Sequence, residues 1–473
     1  MSSITAPSPV VDPDHPLVPA VRGRRRAELI MLIFAFGLIA FAFANVGYSL
    51  KGRLPSSMAE YLGAFVIITV IGHLAVRRLA PWADPLLLPL AALLNGLGIV
   101  MTYRLAQQGQ LLSTPLSPSA TGIQVLYSAI GIGCFIAVLA LIREPRVLQR
   151  YTYTVGAIGL ALLALPALLP SSISQVYGAK IQIRLGTFTV LPEEFAKLAL
   201  AVSFAGYLVA KRDVLALAGR RILGLDLPRA RDLGPILMIW AASLLLLVFE
   251  SDIGTSSVFM GLFVAMLYIA TSRTSWLLLG FIMFVAGAFA ASKLFGHVGE
   301  RFNIWLHPFS GQNPSHNAYQ LVQGLYGMAS GGLLGKGLGG GQPYITPLVQ
   351  SDLVFTAFGE ELGLAGLMAI LLIYGLIVQR GLRAAMSVKE PFSKLLAGGL
   401  SFMLALQVFV IVGGVTRLIP LTGITTPFLS QGGSSLVASW MLIALLVRIS
   451  DSARRPPPRP IQEEGLTQVV TLT

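Results

Sequence analysis

The sequence predicts an all-α polytopic membrane bundle of about twelve transmembrane helices, on three observations. Of 473 residues, 55% are hydrophobic and 12% charged, whereas a soluble chain carries about 25% charged residues. Apolar runs long enough to cross a bilayer, about 20 residues each, recur from Ala27 to Ser450 with no polar block between them large enough to fold alone. The basic residues are sorted unequally between alternate connections of those runs. Together these exclude a soluble fold and predict one membrane domain.

The runs centre near residues 37, 68, 93, 131, 160, 202, 241, 262, 286, 367, 404 and 439. Gly98, Pro166, Gly363 and Gly413 fall inside them, which membrane helices tolerate when neighbours satisfy the freed backbone groups. Residues 1–26 are Ser- and Pro-rich and end in Arg22, Arg24, Arg25 and Arg26. They read as a disordered cytoplasmic tail ahead of a retained anchor, since the first run is long and lacks a small-residue cleavage site. The domain is expected over 27–450, with a short cytoplasmic tail over 451–473.

With the N-terminus inside, 24 of the 34 lysines and arginines lie on the inner side, nine on the outer, and Lys197 within a span. The positive-inside rule then places both termini in the cytoplasm. The net charge of +13 is a topology signal rather than a nucleic-acid footprint, because the basic residues flank apolar spans. The single cysteine, Cys134, allows no internal disulfide and reads as a small core residue. The two long outer connections, 171–190 and 297–351, are where an active site is expected.

Few ionisable residues lie within spans, where each is costly and is either a structural partner or functional. Glu194 and Lys197 stand three apart on one helix face, with Glu193 also in reach of Lys197; the pair is structural or serves a lipid diphosphate or coupling. Asp252, close to Glu250, caps the following helix or has a supporting role. Asp352 follows the long outer connection and precedes an apolar helix, with Glu360 and Glu361 about two turns on. It is a helix cap, or a partly desolvated carboxylate suited to general-base work.

The segment 330–341 is glycine-rich. Gly335, Gly337 and Gly340 formally match a dinucleotide fingerprint, but the strand-turn-helix context is missing and no Ser or Thr follows Lys336, so neither that motif nor a phosphate loop is present. It reads as a flexible linker or as a backbone cradle for an anionic headgroup. The histidines His15, His73, His297, His307 and His316 are scattered, which argues against a structural zinc site.

Four motifs occur in a familiar order. They are Gly178-Ala179-Lys180 through Arg184-Leu185-Gly186 with Pro192-Glu193-Glu194-Phe195-Ala196-Lys197; Asp252-Ile253-Gly254-Thr255; Tyr319-Gln320-Leu321-Val322-Gln323 with Ser330-Gly331-Gly332, Gly335-Lys336-Gly337, Ser351-Asp352 and Gly359-Glu360-Glu361-Leu362-Gly363; and Pro420-Leu421-Thr422-Gly423, Pro427-Phe428 and Ser430-Gln431-Gly432-Gly433-Ser434-Ser435. From about Gly178 to Ser450 the chain resembles the SEDS family (shape, elongation, division and sporulation) of membrane glycosyltransferases. It departs from the pattern at Gln182, Leu191, Glu193, Gln350 and Gln431, and keeps Asp352. Family members commonly have ten spans; two extra at the N-terminus and a short C-terminal tail resemble the RodA branch of actinobacteria.

The resemblance implies an inverting peptidoglycan glycosyltransferase that polymerises lipid II at the outer face of the cytoplasmic membrane, in cell elongation and shape. It implies Asp352 as the base, with Asp252, Glu194, Lys197, Arg301, Gln320, Gln323, Lys336, Glu360, Ser434 and Ser435 as supporting or substrate-binding residues and Lys180 as a further outer cation. A divalent cation, Mg or Mn, is the cofactor it allows. The implied partners are lipid II, a class B penicillin-binding protein and other elongation or division proteins. A lipid II flippase or transporter is the alternative, although no similarity between the two halves of the chain suggests inverted repeats. A non-catalytic scaffold is a third reading, and it expects Asp352 to be freely replaceable.

Overall fold

The structure, a computed structural model, describes residues 17–109, 116–117, 119–176, 179–180, 182–185, 188–212, 220–222, 225–227, 238, 240–241, 253–310 and 315–456. Its frame is helical: α1 (Leu17–Lys51), α2 (Met58–Leu79), α3 (Leu87–Ala106), α4 (Ala120–Leu141), α5 (Thr152–Leu168), α6 (Pro192–Ala210), α7 (Ile253–Thr271), α8 (Ser275–Leu294), α9 (Gly296–Leu306), α10 (Tyr319–Gly331), α11 (Val354–Ser387), α12 (Pro391–Val415) and α13 (Gly433–Arg454). Three two-stranded antiparallel ribbons, at 175–180, 183–190 and 220–227, are its only described strands.

Ten of the described helices are long and apolar enough to cross a membrane. The protein is a multi-pass membrane helical bundle. An eleventh expected span, α6, is a 19-residue helix; its three charges in two turns, Glu193, Glu194 and Lys197, dilute its apolar content. The expected span near residue 241 falls almost wholly outside the described residues.

Two boundaries differ from expectation. Helix α1 begins at Leu17 rather than after the arginine cluster: Pro19 falls in its first turn, where the missing N–H costs no helical bond, and the Leu, Ala and Arg residues around Gly23 favour helix. The long connection 297–351 contains two helices, α9 and α10. Helix α12 is set by local signals, with Pro391 at its first position and the Glu390 carboxylate accepting from the Phe392 and Ser393 amides at 2.8 and 2.7 Å.

Helices α3, α12 and α13 are the central ones, while α8 is almost wholly exposed at its apolar surface. The centre is pinned by polar contacts among apolar groups. The Trp440 indole N–H donates to Asn95 Oδ1 at 3.0 Å, and Asn95 Nδ2 donates to the Ser128 hydroxyl at 3.0 Å. Phe135 and Phe428 meet the same indole edge to face, so α3, α4 and α13 share one junction.

Helix α11 breaks at Gly363, where φ is 67° and ψ is −171°. In an unbroken helix the amides of residues 364 and 365 would donate to the carbonyls of residues 360 and 361. Here the Leu364 and Ala365 amides donate instead to Gly332 and Leu333 at 2.9 and 3.0 Å, while the Glu360 and Glu361 carbonyls accept from the Lys336 and Gly337 amides at 3.1 and 2.9 Å. The glycine-rich segment is thus stitched into the helix rather than left as a free linker. A Cβ on Gly363 would lie 2.3 Å from the Gly335 nitrogen. Gly363→Ala is expected to destabilise the protein by at least about 1–3 kcal/mol from backbone strain alone; an unchanged thermal unfolding temperature in detergent would refute this account of the break.

Candidate functional site

The connection between α12 and α13, residues 416–432, supports the Asp352 turn, Arg301 and, through Gln407, Lys197. Asp352 lies half-buried in the turn before α11, one residue ahead of the cap position, Leu353. Leu348 takes a left-handed φ of 53° there, and its carbonyl accepts from the Ser351 amide at 3.1 Å. From the α12–α13 connection, the Ser430 hydroxyl donates to the Ser351 carbonyl at 2.5 Å and the Gln431 amide to the Gln350 carbonyl at 2.8 Å. Gln350 and Gln431, both departures from the family pattern, therefore meet across one hydrogen bond. The Gln124 side chain holds the far side of the same loop, donating to the Ser430 carbonyl at 3.2 Å.

Beyond this turn, Asp352 Oδ2 lies 3.6 Å from where a Cβ of Gly423 would stand, and Gly423 has φ 78°. Glycine thus serves there both for backbone geometry and for close approach to the carboxylate. On the adjoining residues, Arg301 of α9 donates to the Thr422 carbonyl at 3.0 Å and reaches the Leu421 carbonyl at 3.5 Å. Arg417 and Trp305 lock α9 to the same connection, Trp305 Nε1 donating to the Arg417 carbonyl at 3.1 Å and Arg417 Nε to the Trp305 carbonyl at 2.9 Å. The geometry brings a carboxylate and a guanidinium to one short backbone stretch, 421–423.

Glu194 and Lys197 form the expected pair, 2.9 Å apart and buried. Lys197 also donates to Gln407 Oε1 at 3.3 Å, and Gln407 Nε2 donates to the Thr425 carbonyl at 3.3 Å. The pair thus reaches the connection through α12. Ser434 accepts from the Leu191 amide at 2.9 Å, tying the start of α6 to the start of α13, while the Ser435 hydroxyl is buried with no hydrogen-bond partner among the described residues. Gln320 and Gln323 lie half-buried on α10. Asp252 lies outside the described residues, as does the side chain of Lys180.

Lys336 and Glu360 are joined at 2.8 Å, and Glu360 Oε1 also accepts from the Gln342 amide at 2.9 Å. Glu361 takes up the deeper half of the glycine-rich segment. It accepts from the Gly339 amide at 3.0 Å and pairs with Arg104 at 2.8 Å, both side chains being fully buried. Arg104 further donates to the Gly341 carbonyl at 2.8 Å and to Gln108 at 2.6 Å. The Gly339 amide of this segment and the Gln342 amide just beyond it thus meet two carboxylates of the chain itself. Sequence reasoning missed Arg104 and Gln407. The available signal for Arg104 was that it falls inside the helical run Leu87–Ala106, where a charge calls for a partner.

Among the described residues, no three His, Cys, Asp or Glu side chains come together to hold a metal ion.

The "Cell cycle protein" family of FtsW, RodA and SpoVE matches residues 85–455. The chain belongs to this family. Within the family, it is 45% identical over 456 residues to the peptidoglycan glycosyltransferase RodA of Mycobacterium tuberculosis, covering 96% of this chain and 97% of that one. The enzyme of the same name from Mycobacterium leprae is 44% identical over 440 residues, 93% of each chain. The bundle has the fold of two solved family structures. One is a chain of a peptidoglycan synthase complex, with a TM-score of 0.61 at 23% identity, covering 79% of this chain and 99% of that one. The other is the rod shape determining protein RodA of Thermus thermophilus, with a TM-score of 0.55 at 23% identity, covering 79% and 98%. Since the family match starts at residue 85, α1 and α2 lie outside the part it covers.

Proposed function

We propose that the chain is a peptidoglycan glycosyltransferase that extends glycan strands from lipid II, in cell elongation and shape, with Asp352 as its general base. Support for the activity comes from relatives 44–45% identical over almost their whole length that carry this name. Support for the residue comes from one observation: the Asp352 carboxylate is half-buried in a turn fixed from outside by Ser430 and Gln431, beside the backbone that Arg301 grips. A base restrained in this way loses little in reorganisation when it accepts a proton.

In the reaction, Asp352 takes the proton of the acceptor sugar's 4-hydroxyl as that oxygen attacks the donor's anomeric carbon from the face opposite the diphosphate. The new glycosidic C–O bond forms, the anomeric carbon–diphosphate bond breaks, and undecaprenyl diphosphate leaves with inversion. Arg301 and Lys336 are the cations that would offset the charge that accumulates on the leaving group. Lys336 keeps part of its side chain exposed despite its pairing with Glu360. Gln320, Gln323 and Ser435 would serve sugar or peptide contacts, with Asp252 supporting the second sugar or a divalent cation, Mg or Mn, which would supply further charge neutralisation.

The site faces the outside of the cytoplasmic membrane and both termini face the cytoplasm, a placement supported by the distribution of basic residues. The partner is a class B penicillin-binding protein that crosslinks the strands, alongside other elongation or division proteins. Supplying labelled lipid II to the purified chain with its class B partner is expected to give glycan ladders. Movement of lipid II across proteoliposomes with no ladder would replace this reading with a flippase.

A further inference from the structure

At the end of the bundle away from Asp352, α1 and α2 enclose a cavity of about 290 Å³ lined by Arg25, Arg26, Leu29, His73 and Arg77. This is several times the roughly 30 Å³ that one water occupies in the liquid. We propose that this cavity is a binding site for the phosphate headgroup of an anionic phospholipid from the inner leaflet.

The charge in the lining is not balanced by the protein. Glu28 is fully buried and already held on both sides, by Arg25 and by His73 Nδ1 at 2.7 Å. The other two carboxylates near Arg25 are also engaged, Asp84 by Arg454 and Asp451 by Arg455 at 2.7 Å. Arg26 and Arg77 are exposed and make no ion pair among the described residues. Arg25 is the buried member of the lining: it is only 4% exposed, and its terminal nitrogens reach Glu28 and the Ala83 carbonyl. A phosphate oxygen is the acceptor that the unpaired Arg26 and Arg77 select, since a guanidinium matches it with strong charge-assisted hydrogen bonds.

A membrane lipid suits the cavity better than a free anion because its lining is amphipathic. Leu29 completes the wall, and Ile30, Ile33 and Phe34 continue along α1 at 66%, 61% and 67% exposure. This apolar strip would lie beside the acyl chains of a lipid whose headgroup meets the arginines. Basic pockets between helices at the cytoplasmic surface are suited to such headgroups.

The test uses the full chain in neutral detergent, titrated with phosphatidylglycerol or phosphatidylcholine and read by native mass spectrometry. Wild type is expected to retain one phosphatidylglycerol in preference to phosphatidylcholine, and Arg26→Gln/Arg77→Gln to lose about thirtyfold in that affinity, about fivefold for each arginine. Arg143→Gln/Arg146→Gln removes the same charge from exposed positions elsewhere and is expected to leave retention unchanged. Equal retention of both lipids, equal loss in the two double variants, or displacement of the lipid by millimolar inorganic phosphate would overturn the assignment. The last outcome would give the site to a free phosphate.

Discussion

Asp352→Asn is expected to lower lipid II polymerisation by about 10²- to 10⁴-fold, the usual contribution of a positioned general base, while leaving the protein folded. Asparagine matches aspartate in size, and the contacts that shape this turn come from backbone groups of residues 350 and 351 and from Ser430 and Gln431. Loss of the ladder with an unchanged unfolding temperature would therefore report on proton transfer. Full activity in this variant would remove Asp352 from the mechanism and assign the proton transfer to another group. The measurement is the initial rate of glycan ladder formation by the chain with its class B partner, with the protein amount matched by quantitative gel.

Arg104→Met is expected to destabilise the bundle by about 3–5 kcal/mol, because it strands the fully buried Glu361 carboxylate without its cation. Adding Glu361→Gln to Arg104→Met should recover much of that loss, since the second change removes the unpaired charge rather than a further contact. Thermal unfolding of wild type, the two single variants and the double variant in one detergent gives the complete cycle. A single variant as stable as wild type would mean that water reaches Glu361 and that the pair does not hold the glycine-rich segment.

Much of the bundle was legible because its strongest signal is composition. Runs of about 20 apolar residues admit little other than spanning helices, and the ten helices that meet this standard coincide with ten of the expected runs. The Glu194–Lys197 pair was legible because spacing of three on a helix brings side chains together whatever surrounds them. Arg104–Glu361 was not, because its partners are 257 residues apart and nothing local ties them. The glycine-rich segment left two readings open, since glycines allow both flexibility and close packing. What decides between them is the exchange of helical hydrogen bonds at Gly363, which depends on two distant stretches of backbone. The role of 416–432 as a shared support was equally hidden: its contacts with Ser351, Arg301 and Gln407 run largely through main-chain carbonyls, which carry no residue signature.

The wide separation of Arg104 from Glu361 also sets an order of assembly. At about 5–20 residues per second, synthesis reaches the carboxylate roughly 13–50 seconds after the guanidinium. Throughout that interval Arg104, near the end of an apolar helix, has only the neutral Gln108 side chain, water and lipid headgroups to meet its charge, so this end of α3 is expected to sit drawn towards the membrane surface. It can settle to its final depth only when α11 arrives and neutralises it. The polar face around Asp352 therefore closes late, after three quarters of the chain is in the membrane, and the early helices wait as a half-built socket for the later ones.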